Sequence, residues 1–314
     1  MSAKIATRDA YGRALVAVGA ENPHIVVLDA DLAKSTKTIE FKKRFPERFF
    51  DFGVAEQNMM GTAAGLAAAG KIPFCSTFAV FATGRAFDQV RQSIAYTRLN
   101  VKIAASHAGI TVGEDGASHQ SIEDIALMRV LPHMTVFVPA DAREVEGAVR
   151  AAVEIEGPVY IRLGRAPVPV LHGDDFAFVP GRALEMRPGR DATVIATGIM
   201  VAAALEAAAL LEPEGLDVRV LDIHTIKPLD VAAVVAAARE TGAVVTAEEH
   251  SIIGGLGSAV AEVLGEHCPV PLRRVGLADV FGESGRPDEL LVKYGLTPEH
   301  VAEAVRAVVR RKGR

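Results

Sequence analysis

The segment 106–120, Ser-His-Ala-Gly-Ile-Thr-Val-Gly-Glu-Asp-Gly-Ala-Ser-His-Gln, places His107, Asp115 and His119 among three glycines. Glycines let the main chain approach a ligand closely, and the imidazoles and the carboxylate supply donors and acceptors, so this set suits a polar ligand. A metal site is the rival reading. It is weakened because the segment has neither a partnering pair of carboxylates nor a His-x-x-x-His helix spacing.

Glu56 precedes the small-residue stretch 61–70, whose alanines and glycines would let a helix pack closely. Taken alone, Glu56 reads as a first-turn carboxylate that meets the helix dipole and caps free amides. Phe78 and Phe81 follow at helical i, i+3 spacing. Rings so placed serve a core or stack on a flat heteroaromatic ligand, a geometry worth about 0.5–1.5 kcal/mol beyond area burial. Arg8, Arg162 and Arg165 are the candidates for an anion. An arginine fork matches phosphate oxygens, and the same fork serves an ordinary ion pair.

These residues need elements that bring them together. Val- and Ile-rich runs at 24–29, 101–106, 135–139 and 159–163 alternate with helical apolar spacing. That alternation predicts βαβ units with parallel strands buried on both faces, and such folds place their sites in loops after the strands' carboxyl ends, where 106–120 falls. Prolines and glycines accumulate between 165 and 191, which predicts a linker. Runs at 192–197, 218–223, 243–247 and 272–275 then predict a second α/β unit, and 298–309 a closing helix before a basic tail at 310–314. The fold class expected is α/β with two parallel- or mixed-sheet domains, at 1–168 and 191–314, joined by a linker at 169–190. Within the second unit, 221–229 and the Gly-Gly-x-Gly turn inside 248–258 read as structural, at a subunit contact; the turn lacks the full dinucleotide fingerprint.

Composition removes several function classes. A net charge of −5, without long runs of either sign, gives no general surface for nucleic acid or an anionic membrane. The amino terminus lacks a secretory apolar region and no run reaches transmembrane length, so a cytoplasmic location is expected. Cys75 and Cys268 stand apart without metal spacing, and neither a disulfide nor a zinc site is expected from them.

In this order, the segments resemble the pyrimidine-binding and C-terminal domains of the transketolase family of thiamine diphosphate enzymes. The resemblance covers almost the whole chain. It is most specific at 107–120, which is similar to His-x-x-x-x-x-Gly-x-Asp-Gly-x-x-His-Gln, with 54–59 and 76–81 close behind. It implies that Glu56 hydrogen-bonds the cofactor's aminopyrimidine ring and is the central catalytic residue, that Phe81 stacks on that ring, and that Phe78 shapes the same pocket. It implies sugar contacts from His107 at the phosphate end, from Asp115 at a donor hydroxyl and from His119 near the reacting carbonyl, His119 being counted as catalytic too. Arg8, Ser35 and Arg165 match the family's sugar-phosphate contacts. The family's aromatic one turn beyond Phe81 is replaced by Gly84, so the ring slot is expected to be completed from elsewhere.

The family's Gly-Asp-Gly motif for magnesium and diphosphate is absent. The resemblance therefore implies a split transketolase subunit that draws magnesium and diphosphate ligands from an N-terminal partner chain, within an alpha2beta2 heterotetramer containing a homodimer contact. The implied activity is two-carbon ketol transfer from a ketose phosphate to an aldose phosphate in the pentose phosphate pathway. The alternatives are a 1-deoxyxylulose-5-phosphate synthase-like chain, a 2-oxo-acid dehydrogenase beta-like subunit, which the 107–119 loop argues against, and a non-catalytic scaffold homologue.

Overall fold

Runs of Val and Ile too apolar to face water on either side become the central strands of two sheets. The computed structural model describes residues 3–173 and 175–312. Met1, Ser2 and Asp174 lie outside the described residues, as do Gly313 and Arg314 of the basic tail. In the first half the strands are β1 (Lys4–Ala6), β2 (Ile25–Asp29), β3 (Phe49–Asp51), β4 (Ile72–Phe78), β5 (Lys102–Ser106), β6 (Thr135–Phe137), β7 (Val159–Arg162) and β8 (Pro167–Pro169). The second half adds β9 (Leu184–Arg187), β10 (Ala192–Ala196), β11 (Val218–Asp222), β12 (Thr225–Lys227), β13 (Val244–Ser251) and β14 (Leu272–Leu277).

The larger sheet has the order β12-β6-β7-β5-β4-β2-β3. All its pairings are parallel except β12 against β6. The smaller sheet, β14-β13-β10-β11-β9, is parallel apart from the edge strand β9. Two features depart from the sequence reading. The linker expected at 169–190 starts at the last residue of β8, which pairs antiparallel with β1, and contains β9. The prolines of β8 are tolerated because a two-stranded edge leaves one side of each strand without a ladder to satisfy. The second departure is β12, which lies in the second half of the sequence yet hydrogen-bonds into the first sheet.

Helices cover both sheets. The helix Ala142–Glu154 starts where the Asp141 side chain accepts the Glu144 amide at 2.9 Å, and it buries Val145, Ala148, Val149 and Ala152 at helical spacing. The helix Pro298–Val309 has proline in its first turn and buries Val301, Val305 and Val308. One apolar cluster contains Val26, Leu28 and Ile103 of the first sheet together with Leu221, Leu256 and Val260 of the second half, so the halves share a core. Among the described residues no helix is long and apolar enough to cross a membrane.

Polar groups also fasten the halves. Arg162 is buried, and its Nε donates to Asp124 Oδ2 at 2.8 Å while its Nη2 donates to the Glu249 carbonyl at 2.9 Å. The Tyr160 hydroxyl donates to the same Asp124 oxygen at 2.7 Å. Arg162, a candidate for anion binding on sequence alone, is therefore committed to an internal ion pair. Removing one member of such a buried pair costs about 3–5 kcal/mol.

Glu249 reaches further. Its Oε1 accepts the Thr111 amide at 2.7 Å, so a carboxylate of the second half supports the 106–120 loop of the first. The contact requires a glycine at 109: φ there is +80°, and a Cβ would lie 2.1 Å from the Glu249 carboxyl carbon. Gly109→Ala is expected to lower unfolding stability by about 1–3 kcal/mol and to loosen the loop. Denaturant unfolding and amide exchange at Thr111 check this, and unchanged protection of the Thr111 amide in the variant would refute the support role.

Candidate active site

Glu56 opens the helix Glu56–Ala68 and is 1% exposed. No side chain caps that helix, so the carboxylate lies at the positive end of an uncapped dipole. Its Oε2 accepts from Arg85 Nη1 at 2.9 Å. Arg85 is 46% exposed, and its guanidinium lies 4.4 Å from the centroid of the Phe81 ring. Because Arg85 is the open partner and Glu56 the buried one, a ligand can displace the guanidinium provided it supplies a hydrogen bond to the carboxylate in its place.

Phe78 ends β4, whereas Phe81 begins a π-helical turn, Phe81–Arg85. The i, i+3 spacing of the two rings is thus not helical. It spans a strand-to-helix turn, and π-turns of this kind are frequent at functional sites. The two rings are nearly parallel, 12° apart with centroids at 5.9 Å, and Phe78 stacks in turn on His107 at 3.7 Å. His119 meets Phe81 edge-on at 5.4 Å. His107, Phe78, Phe81 and the Arg85 guanidinium form a row of flat groups that ends beside Glu56, at the carboxyl ends of β4 and β5.

His107 takes a left-handed backbone conformation, φ +59°. Arg8 Nη1 lies 3.2 Å from its Nε2, and Ser106 Oγ lies 2.9 Å from its Nδ1. Arginine can only donate, so Nε2 is the acceptor and the ring proton is on Nδ1, facing Ser106. Burial, followed by the positive charges of Arg8 and Arg165, pushes the His107 pKa down to about 3. The imidazole is therefore neutral at physiological pH.

Arg8 also donates to the main-chain carbonyl of Ser35 at 3.1 Å. Ser35 itself lines a cavity of about 440 Å³ with Asp31, Lys34 and Asp51. Arg165 bonds the Val112 carbonyl and lies 3.5 Å from Glu114 and 3.7 Å from Asp115. The Thr7 hydroxyl accepts the Gly164 amide at 2.7 Å, which fastens the segment bearing Arg8 to the one bearing Arg165.

Glu56, Phe78, Phe81, His107, His119 and Arg8 thus form one connected surface. Asp115 is held at its margin by Arg165, and Ser35 joins through its carbonyl. Sequence reasoning missed Arg85, whose one signal is its place a turn after Phe81 and next to Gly84. It also missed Gln120 as the tie that closes the loop: its Nε2 donates to the Glu283 carbonyl at 2.8 Å. The Gly-Gly-x-Gly turn is closed to a phosphate, because Glu248 accepts the Leu256 and Gly257 amides at 2.7 Å each.

Residues 3–170 match the family model "Transketolase, pyrimidine binding domain", and residues 181–301 match "Transketolase, C-terminal domain". The 6-deoxy-6-sulfo-D-fructose transketolase subunit SqwH of Clostridium sp. (strain MSTE9) is 49% identical over 97% of this chain and 95% of its own length. The transketolase of Homo sapiens is 40% identical over 98% of this chain and 49% of its own length. A solved structure described as a split gene transketolase, inactive beta4 tetramer, superposes with a TM-score of 0.91 at 60% identity, covering 99% of this chain and 100% of that one.

The neutral His107 gives a pH prediction. Its folded pKa of about 3 lies below the ordinary 6.5, so between those values the unfolded chain binds a proton that the folded chain does not. The contribution of His107 to stability is full above pH 6.5 and is lost as pH falls toward 3. Unfolding free energy measured across this range is expected to fall more steeply for the wild type than for His107→Gln. Equal slopes, or an NMR titration of His107 near 6.5, would contradict the neutral, Arg8-bonded ring.

Proposed function

The chain belongs to the transketolase family, and on that premise we propose that it is one subunit of a split transketolase, transferring a two-carbon ketol unit from a ketose phosphate to an aldose phosphate with thiamine diphosphate. The observation that carries this reading is the buried Glu56 carboxylate at the end of a row of parallel rings. A flat aminopyrimidine needs a stacking face and a carboxylate to bond a ring nitrogen, and Phe81, Phe78 and Glu56 provide these once the Arg85 guanidinium moves aside. Thiamine diphosphate, when bound, supplies the nucleophilic carbon and the electron sink that ketol transfer requires.

The chain's own residues hold and orient the sugar. Arg8 and Arg165 present positive charge to a distal phosphate, with Ser35 and His107 beside them, and the contact of His107 with that phosphate runs through Arg8, which already occupies its Nε2. Asp115 takes a donor hydroxyl. His119, edge-on to Phe81 and partly exposed, stands where a reacting carbonyl would approach the ring.

In this reading residues 1–168 are the pyrimidine-binding domain, 169–190 the linker and 191–314 the C-terminal domain, in a cytoplasmic enzyme of the pentose phosphate pathway. An N-terminal partner chain carries the magnesium and diphosphate ligands within an alpha2beta2 assembly. Two observations support the partner: this chain aligns with about half of the human enzyme, and its split-gene relative is described as inactive in a beta4 tetramer.

The test is ketol transfer from xylulose 5-phosphate to ribose 5-phosphate with thiamine diphosphate and magnesium, using the chain alone and mixed with its N-terminal partner. Activity is expected only in the mixture, and activity of the chain alone would overturn the split reading. Glu56→Gln is expected to keep fold and assembly while lowering kcat by about 10²–10⁴-fold. Undiminished transfer by that variant would remove Glu56 from the mechanism.

A further inference from the structure

Away from the site just described, three side chains from distant parts of the chain converge in the interior. Glu144 lies in the first turn of the helix Ala142–Glu154, His172 follows β8, and Asp222 ends β11. One ligand atom from each lies within 4.8 Å of the others. His172 Nε2 is 3.8 Å from Glu144 Oε1 and 4.0 Å from Asp222 Oδ2. Glu144 and Asp222 are fully buried and the His172 side chain is 7% exposed.

The converging atoms are also the ones that no donor reaches. Among the described residues Glu144 Oε1, His172 Nε2 and both Asp222 oxygens are buried without a donor, and the Glu144 and Asp222 carboxyls lie close enough to share a proton. The rest of the cluster is satisfied. Glu144 Oε2 accepts the Ala140 amide at 2.7 Å, and Asp141 Oδ2 accepts the Leu171 and His172 amides at 2.6 and 2.9 Å. Asp141 Oδ2 also lies 3.1 Å from His172 Nδ1. A carboxylate engaged as an acceptor by two amides holds a proton of His172 on Nδ1 and turns Nε2 toward the carboxylates, where it can bind a cation once it carries no proton. A carboxylate behind a histidine is the outer-shell arrangement that orients imidazole ligands toward metals.

We propose that Glu144, His172 and Asp222 form a buried site for a first-row divalent cation of the zinc type, which ties the first sheet's helix, the linker and β11 together. One imidazole nitrogen and up to three carboxylate oxygens fill four positions, and the two carboxylates balance the charge of the cation. Bond lengths of about 2.0–2.2 Å place tetrahedral ligand atoms about 3.3–3.6 Å apart, so His172 Nε2 and the two carboxylate oxygens at 3.8 and 4.0 Å would close by less than about 1 Å. The site is independent of the ketol-transfer proposal, and its role is to fasten the two halves.

The test uses the full, tag-free chain, stripped with a chelator and then titrated with zinc and with cobalt(II). One zinc per chain is expected to survive gel filtration, to raise Tm, and to be replaced by cobalt with the strong visible bands of a four-coordinate site. Asp222→Asn and His172→Gln are expected to weaken zinc binding by at least the ~10–100-fold that loss of an outer-shell partner costs. Equal zinc retention by both variants and the wild type would overturn the site. So would a wild type that takes up no cation, because the occupant would then be a proton shared between the Asp222 and Glu144 carboxyls. Should a variant fail to fold, the wild-type cobalt spectrum decides, with hexa-aquo bands overturning the proposal.

Discussion

The candidate site depends on Glu249, a buried carboxylate of the second half that supports the 106–120 loop of the first. Its Oε1 holds the Thr111 amide, its carbonyl holds Arg162, and Arg162 is anchored to Asp124. Burial pushes the Glu249 pKa up, and the nearby Arg162 guanidinium counters this and favours the charged form. Asp124 and Arg162 pair within the first half, and Glu249 joins them from the second, since a buried charge is costly without partners. The loop that presents His107, Asp115 and His119 therefore has its Thr111 support only when the two halves are docked.

The opposite side of the site is built differently. Glu56 is buried, but the side chain bonded to it among the described residues, Arg85, is half exposed, with its guanidinium over the Phe81 ring. The rigid part of the site thus consists of strand-end rings and the supported loop, and the replaceable part is a single flexible cation. Such a division suits a surface that a second chain completes. The groups that set geometry are fixed by the core, while the group covering the carboxylate is half exposed and can leave once another donor takes its place.

Much of this was legible in the sequence. The strands Ile25–Asp29, Val159–Arg162 and Ala192–Ala196 fall within the apolar runs that predicted them, and the helix Pro298–Val309 has the expected bounds, because continuous burial and a first-turn proline are local signals. Less legible were features decided by partners far along the chain. β12 leaves its own half because β6 offers an open edge, and Phe78 and Phe81 flank a turn rather than share a helix face. The arginines show the limit most clearly. Arg8, Arg162 and Arg165 are equivalent as residue types, yet only the fold commits Arg162 to Asp124 and leaves the other two beside His107.

The same reasoning separates the two clusters of buried charge at the junction of the halves. Around Glu249 nearly every acceptor has a donor, so the cluster is self-sufficient and reads as a structural bolt. Around Asp222 the backbone and Asp141 satisfy the outer atoms, while four inner ones, from Glu144, His172 and Asp222, face one another without a donor among the described residues. A protein interior does not sustain unpaired carboxylate oxygens without an occupant, whether a proton or a cation. Residues 144, 172 and 222 are too far apart in sequence to form a recognisable motif, so only the closure of the two sheets onto the linker brings the cluster into view.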